Sequence, residues 1–263
     1  LVVMLRNSMI YLLRHGESKF NLAQLEPDYM SDKLKHWFRK DLVDCELTEL
    51  GIQQAKEAGE KLKNVNISLV LVSPLRRTLQ TAYYAFKDHP SKPLFKVIPL
   101  GREFMGLSCD FPTDIESLLK EFPFDFSELE AFKDKKLWIL ETFEGEDQEL
   151  LGGLIKDLPE GPERLEKFTD ILIETARKMH PKFVESGAHV IARGKKLKKY
   201  LHTHLKLLRE TEKLVYVGHK SIFEVMTGTK HDESGYALDG ITLKNGEFIE
   251  YILDEEEVTD KPL

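Results

Sequence analysis

Histidine and arginine side chains stand directly after two apolar runs of the chain, where they could hold and attack a phosphate. Arg14 and His15 follow the run 9–13, and His219 follows the run 214–217. Short apolar runs of this kind predict buried strands. Ligands of open α/β sheets bind beyond the carboxyl ends of such strands. We therefore expect imidazole and guanidinium groups to meet at one edge of a sheet.

A second basic element follows the apolar run 69–72. Ser73 is predicted to cap a helix that has Pro74 at its first position, which places Arg76 and Arg77 in the first turns. Helix amino termini attract anions through their free N–H groups and their dipole. For this pair taken alone, a solvated basic helix start is the alternative interpretation.

An acidic residue completes the set of candidate groups. Glu103 comes shortly after the apolar segment 95–100, which predicts a strand that ends in a polar loop. A carboxyl at that point is either an ordinary surface group or a general acid. Four predicted strands that all end in polar groups able to bind phosphate are harder to attribute to chance than any one of them.

The composition excludes some classes of function. The chain has 263 residues, 41% of them hydrophobic, which is enough for a normal core. Its net charge of −7 argues against a nucleic-acid binder that relies on bulk charge, although a locally basic pocket is compatible with it. Cys45 and Cys109 have no paired-ligand spacing, so we expect a reducing, cytoplasmic compartment. No apolar run is long enough to span a membrane, so no membrane partner is expected.

The alternation of predicted strands and helices indicates an α/β fold with a mostly parallel sheet. Thr48 is predicted to cap a helix whose apolar stripe includes Leu50, Ala55, Ala58 and Leu62. The pair Asn245-Gly246 predicts a hairpin between 241–244 and 248–253.

We expect one domain over residues 1–253, with an insertion at about 139–184, where Pro162 begins a helix. The insertion is either a cap over the site or surface decoration. Residues 254–263 form an acidic tail that we expect to be disordered.

Several motifs together resemble those of the histidine phosphatase superfamily, branch 1, which includes the cofactor-dependent phosphoglycerate mutases. Residues 13–18 with Asn21 resemble the opening motif of the mutases. Residues 73–82 resemble the second motif, whose phosphate-binding arginine corresponds to Arg77. Segments 44–55 and 185–193 also fit the family in order. The stretch Arg102-Glu103-Phe104-Met105-Gly106 departs from the Asn-Glu-Arg motif of mutases. In this respect the chain is most similar to the phosphoglycerate-mutase-like phosphatases of plants and fungi.

The resemblance implies a phosphoglycerate mutase-like fold, a three-layer α/β/α sandwich around a mostly parallel sheet. It also implies hydrolysis of phosphomonoesters through a phosphohistidine, with no metal and no cofactor. His15 would attack phosphorus, Arg14 and Arg77 would neutralise its oxygens, His219 would donate to one of them, and Glu103 would protonate the leaving oxygen. Two further residues would add neutral hydrogen bonds to the phosphate, namely Ser18 and Asn21.

Two other functions stay open at this point. One is a mutase, in which a bound bisphosphate keeps His15 phosphorylated, and the other is a non-catalytic scaffold with the same fold. The expected partner is a small phosphorylated substrate, a phosphoprotein is also compatible, and the oligomeric state is left open.

Overall fold

A five-stranded sheet forms the centre of the computed structural model, which describes residues 9–161, 163–180 and 184–253. In these ranges the strands are β1 (Met9–Arg14), β2 (Ile67–Val72), β3 (Leu94–Val97), β4 (Lys213–Gly218) and β5 (Phe248–Ile252). They lie in the order β3-β2-β4-β1-β5. The pairs β1–β4, β2–β4 and β2–β3 are parallel, and β5 is antiparallel to β1. The carboxyl ends of the parallel strands therefore share one edge of the sheet.

Helices cover both faces of this sheet. In the described ranges they are α1 (Lys19–Ala23), α2 (Lys33–Trp37), α3 (Glu49–Leu62), α4 (Arg76–Phe86), α5 (Ile115–Glu121), α6 (Ser127–Glu130), α7 (Gly145–Ile155), α8 (Arg164–Met179), α9 (Gly187–Leu205) and α10 (Lys220–Thr227). Short 3₁₀ turns lie at 40–42, 99–101, 108–110 and 138–142.

Side chains of successive strand residues point to opposite faces, and they divide the core into two clusters. Leu13 and Val70 belong to the cluster that holds α3, α4 and α8. Leu12 and Leu71 belong to the cluster that holds α9 and α10. Burial on both faces explains why the strands are continuous apolar runs rather than alternating ones. The predicted three-layer α/β/α fold with a mostly parallel sheet is confirmed.

The start of α4 differs from the prediction. The helix begins at Arg76 after the N-cap residue Leu75, and Ser73 makes no cap. The backbone N–H of Ser73 instead continues the sheet by donating to the carbonyl of Val217 at 3.1 Å. Arg76 and Arg77 nevertheless occupy the first turn, as expected. In α3, Thr48 is the cap as predicted, but Leu50 is 54% exposed and does not join the buried stripe.

Two predicted strands are also corrected. The third strand ends at Val97 rather than at Leu100, because Pro99 has no N–H for the ladder and opens a 3₁₀ turn. The hairpin at Asn245-Gly246 was wrong, since residues 241–244 form no strand. The pair does turn the chain, but the backbone N–H of Gly246 donates to the carbonyls of Arg14 and His15, both at 3.2 Å. That turn is used to hold the loop after β1, and β5 pairs with β1.

The expected insertion contains the whole of α7 and of α8. Phe168 and Leu172 of α8 belong to the same buried cluster as Leu79 of α4, so this helix packs beside the sheet. Pro162, residues 1–8 and the predicted tail 254–263 lie outside the described residues, and the single domain stays a prediction. Within the described ranges, none of the helices has both the length and the apolar character needed to cross a membrane.

Candidate active site

The sequence-predicted residues converge on one cavity of about 130 Å³ at the carboxyl edge of the sheet. Its lining comprises Arg14, His15, Ser18, Phe20, Asn21, Arg77, Glu103, Phe104, Gly106, Leu107, Cys109, Asp110, Lys220, Ser221 and Tyr236. The remaining predicted residue, His219, is fully buried, and its ring centroid lies 5.3 Å from that of His15. All seven predicted site residues are thus brought together.

The loop after β1 fixes the orientation of His15. The Nδ1 atom lies 2.7 Å from the carbonyl oxygen of Gly16, and because a carbonyl only accepts, Nδ1 carries the proton. The lone pair is therefore on Nε2. The loop itself is held by a hydrogen bond from the Gly16 N–H to the Thr81 hydroxyl at 3.0 Å. Burial, together with the positive charges of Arg77 and Arg14, lowers the pKa of His15 well below its usual range. The ring is neutral near pH 7, as a nucleophile requires.

A serine that the sequence analysis assigned to a helix cap orients His219. The Ser73 hydroxyl lies 2.6 Å from Nε2 of His219. Burial, followed by the charge of Arg77, lowers the pKa of His219 well below its usual range, so the ring is neutral. In the tautomer of this neutral ring that carries its proton on Nδ1, Ser73 donates to Nε2. That Nδ1 is buried and has no hydrogen-bond partner within residues 9–161, 163–180 and 184–253. It is a donor available to a bound anion.

Two arginines supply positive charge to the cavity. Arg77 donates through one terminal nitrogen to Asp110 at 2.9 Å and through the other to the carbonyl of Cys109. Arg14 donates to the carbonyl of Leu243 at 2.7 Å, while its buried Nε has no partner among the described residues. A guanidinium has five N–H donors, so both arginines keep donors for an oxyanion.

Glu103 is held at the amino terminus of α10. Its Oε1 accepts the backbone N–H groups of Phe104 and Ile222 at 2.9 and 3.0 Å, and its Oε2 accepts that of Ser221 at 3.1 Å. Burial and the nearby charge of Asp110 raise the pKa of Glu103, although the N–H donors and Arg77 oppose this. Since Oε2 accepts a single N–H, it is the better position for a transferable proton.

Asp110 is a site residue that the sequence analysis did not single out. It is buried, lines the cavity, and forms an ion pair with Arg77. Burial raises its pKa, while Arg77 opposes the shift. The sequence offered no signal for it, because Cys109-Asp110 follows no strand and matches no motif that we used. Cys109 is also buried, and burial raises the pKa of its thiol well above the usual range, which argues against a role as nucleophile.

Ser18 and Asn21 are partly occupied by their own local structure. Ser18 is the N-cap of α1, and Asn21 Oδ1 accepts from the Ser18 backbone at 3.1 Å and from its hydroxyl at 3.0 Å. Asn245 adds a third donor to the same oxygen at 3.2 Å. The group that Asn21 can offer to an anion is therefore its amide nitrogen.

A buried ion cluster supports the loop that carries Glu103. Glu185 binds Arg102 at 2.7 Å and Arg193 at 2.9 Å, and all three side chains are buried. Arg193 also donates to the carbonyls of Arg102 and Glu103, at 2.6 and 3.3 Å. Burial would raise the pKa of Glu185, but Arg102 and Arg193 hold it well below its usual range. The carboxylate is thus ionised and ties α9 to the loop 100–106.

Residues 10–96 match the family model of the histidine phosphatase superfamily (branch 1). This first third of the chain is similar to that superfamily. The chain is 35% identical over 99 residues to the 2,3-bisphosphoglycerate-dependent phosphoglycerate mutase of Chlamydia muridarum, and the aligned stretch covers 38% of each protein. It is 38% identical over 92 residues to the mutase of the same name from Protochlamydia amoebophila, which covers 35% of each. The chain thus matches little more than a third of the length of these curated relatives.

A solved structure extends the likeness over nearly the whole chain. The mycobacterial glucosyl-3-phosphoglycerate phosphatase in complex with VO3 is 18% identical, with a TM-score of 0.50, and the match covers 95% of this chain and 93% of that one. At this identity the match shows a likeness of fold alone. The similarity to plant and fungal members of the superfamily stays a prediction.

Proposed function

We propose that the protein hydrolyses phosphomonoesters through a phosphohistidine formed on His15. The observation that carries the proposal is the hydrogen bond from His15 Nδ1 to Gly16, because it leaves Nε2 as a neutral nucleophile in a cavity that contains Arg14 and Arg77. Two buried nitrogens that have no partner in the described part of the chain, Arg14 Nε and His219 Nδ1, provide donors for the phosphate oxygens.

In the first step, Nε2 of His15 attacks phosphorus, the N–P bond forms and the ester P–O bond breaks. The leaving oxygen takes a proton from Glu103, which the raised pKa keeps available. Arg14, Arg77 and His219 stabilise the charge on the oxygens that do not leave, as phosphoryl transfer requires. In the second step, Glu103 takes a proton from water, the water oxygen bonds to phosphorus, and the N–P bond breaks.

A mutase is the second candidate function, and the names of the two chlamydial relatives favour it. In a mutase the phosphohistidine would return its phosphoryl group to the bound acid rather than to water. We propose the phosphatase because the stretch around Glu103 lacks the Asn-Glu-Arg motif of the mutases. We further propose a small phosphorylated molecule as substrate, for which the cavity of about 130 Å³ provides the phosphate site.

Release of phosphate from p-nitrophenyl phosphate and from a panel of phosphorylated metabolites tests the proposal. His15→Ala should abolish release. His231→Ala is the matched control, because His231 lies outside the cavity and its Nε2 contacts the carbonyl of Val225. Isomerised phosphoglycerate without free phosphate would establish the mutase instead. Undiminished release by His15→Ala would refute the phosphohistidine route for either activity.

A further inference from the structure

A cluster of potential metal ligands lies outside the active-site cavity, in the segment between α1 and α3. Glu26, Asp28 and His36 each offer one ligand atom, and these atoms lie within 4.8 Å of one another. None of the three residues lines the cavity. The sequence analysis expected no metal, because the phosphohistidine chemistry that the resemblance implies needs none.

His36 supplies the decisive observation. Its ring is 1% exposed, and Nε2 lies 3.0 Å from Asp28 Oδ1. Because an ionised carboxylate only accepts, Nε2 carries a proton, and in the neutral ring the lone pair is then on Nδ1. This Nδ1 is buried and has no hydrogen-bond partner among the residues that the structure describes. The carboxylate atom facing it is Glu26 Oε2, at 3.6 Å.

The separation of 3.6 Å is too long for a hydrogen bond. It is close to the distance between two ligands of one tetrahedral ion, since bonds of about 2.0–2.1 Å at a tetrahedral angle place the ligand atoms about 3.4 Å apart. The contact of Nε2 with Asp28 is also the arrangement that metal-binding histidines use, in which the second nitrogen donates to a carboxylate and fixes the tautomer.

The neighbouring cations bind the oxygens that the ion would not use. Arg39 binds Glu26 Oε1 at 2.7 Å, and Lys35 binds Asp28 Oδ2 at 2.5 Å. They orient both carboxylates toward His36, and their charge weakens the attraction for a further cation. The ring of Tyr29 packs against His36 with centroids 5.5 Å apart, which restricts rotation of the imidazole.

We propose that His36 Nδ1 and Glu26 Oε2 bind a divalent transition-metal ion, with Asp28 as the carboxylate that orients the histidine. One imidazole and one carboxylate oxygen favour Zn²⁺ over Ca²⁺ or Mg²⁺, which prefer oxygen ligands alone. Water completes the coordination because Glu26 is exposed. The ion would link the two ends of the stretch 26–36, next to the segment that contributes Phe20 and Asn21 to the cavity. The site is separate from the proposed chemistry on His15.

Calorimetric titration of the full, chelator-treated chain with Zn²⁺ alone tests the proposal. We expect one saturable site per chain. Glu26→Gln, which changes an exposed side chain and leaves the fold intact, should lose this site. Asp28→Asn should weaken binding about 10–100-fold, as is typical for partners of a metal-bound histidine. His36→Gln should also lose the site.

His89→Gln is the matched control, because His89 is a buried histidine whose ring nitrogens contact Ser91 and the carbonyl of Leu62 rather than a carboxylate. It should bind Zn²⁺ as the unmodified chain does. The visible spectrum of the Co²⁺ form adds a readout of geometry, since a four-coordinate ion absorbs far more strongly than a six-coordinate one. Unchanged Zn²⁺ affinity in Glu26→Gln, or no saturable binding by the unmodified chain, would overturn the proposal.

Discussion

The hydrogen bond between Ser73 and His219 gives a sharp test of how the candidate site is organised. In Ser73→Ala the Nε2 atom of His219 loses its donor at 2.6 Å, in a position with no exposure to solvent. An unsatisfied buried group costs about 1–3 kcal/mol. The other tautomer of His219 also becomes accessible, and in it Nδ1 has no proton for the phosphate.

If that cost falls on the transition state, kcat/KM decreases about 5- to 150-fold, since 1.36 kcal/mol corresponds to a factor of ten. The assay is steady-state hydrolysis of p-nitrophenyl phosphate, with urea unfolding in parallel to confirm that the variant is folded. Ser108→Ala is the matched control, because Ser108 is equally buried and its hydroxyl has no partner. The control should retain kcat/KM. If the two variants have indistinguishable kcat/KM values, Ser73 does not orient His219 and the tautomer assignment is wrong.

Three further variants probe the charge and packing around the site. Asp110→Asn removes a negative charge that raises the pKa of Glu103, so the pKa of Glu103 should fall. Because the protonated acid is the active form, kcat/KM should begin to decrease at a lower pH than in the unmodified chain. An unmoved alkaline limb of the pH profile of kcat/KM would contradict this. Glu185→Gln leaves Arg102 and Arg193 without their buried counter-charge, so urea unfolding should show a loss of about 3–5 kcal/mol, and a loss under 1 kcal/mol would disprove it. Gly51→Ala would place Cβ 2.1 Å from the carbonyl oxygen of Glu17. This clash should reduce the free energy of unfolding by about 1–3 kcal/mol and thereby lower Tm. The control Gly152→Ala has open space around its Cβ and should not lower Tm.

The sequence was sufficient for the parts of the molecule that follow local rules. Apolar runs on both faces of a sheet predict buried parallel strands, and the residues after β1 and β4 had to meet because those strands are neighbours. The same reasoning brings Arg14, His15 and His219 into one place.

The remaining parts depend on contacts that are distant in sequence. Ser73 has the composition of a helix cap, but its hydroxyl is used by His219, 146 residues away. Asn245-Gly246 has the composition of a hairpin turn, but its N–H groups are used by the loop after β1. Asp110 has no local signal at all. In each case a tertiary partner overrides what the neighbouring residues favour.

The first turn of α10 joins two groups that have different tasks in the proposed reaction. His219 is the N-cap residue of this helix, and the N–H groups of Ser221 and Ile222 bind the carboxyl of Glu103. A shift of this eight-residue helix would therefore displace two groups by the same amount and in the same direction. These are His219, which donates a hydrogen bond to the phosphate, and Glu103, which donates the proton to the leaving oxygen. The distance between His219 and Glu103 is therefore set by α10, which acts as one rigid body. Adaptation to a larger or smaller leaving group consequently has to come from lining residues outside this helix, such as Phe20 and Leu107, rather than from independent adjustment of the acid.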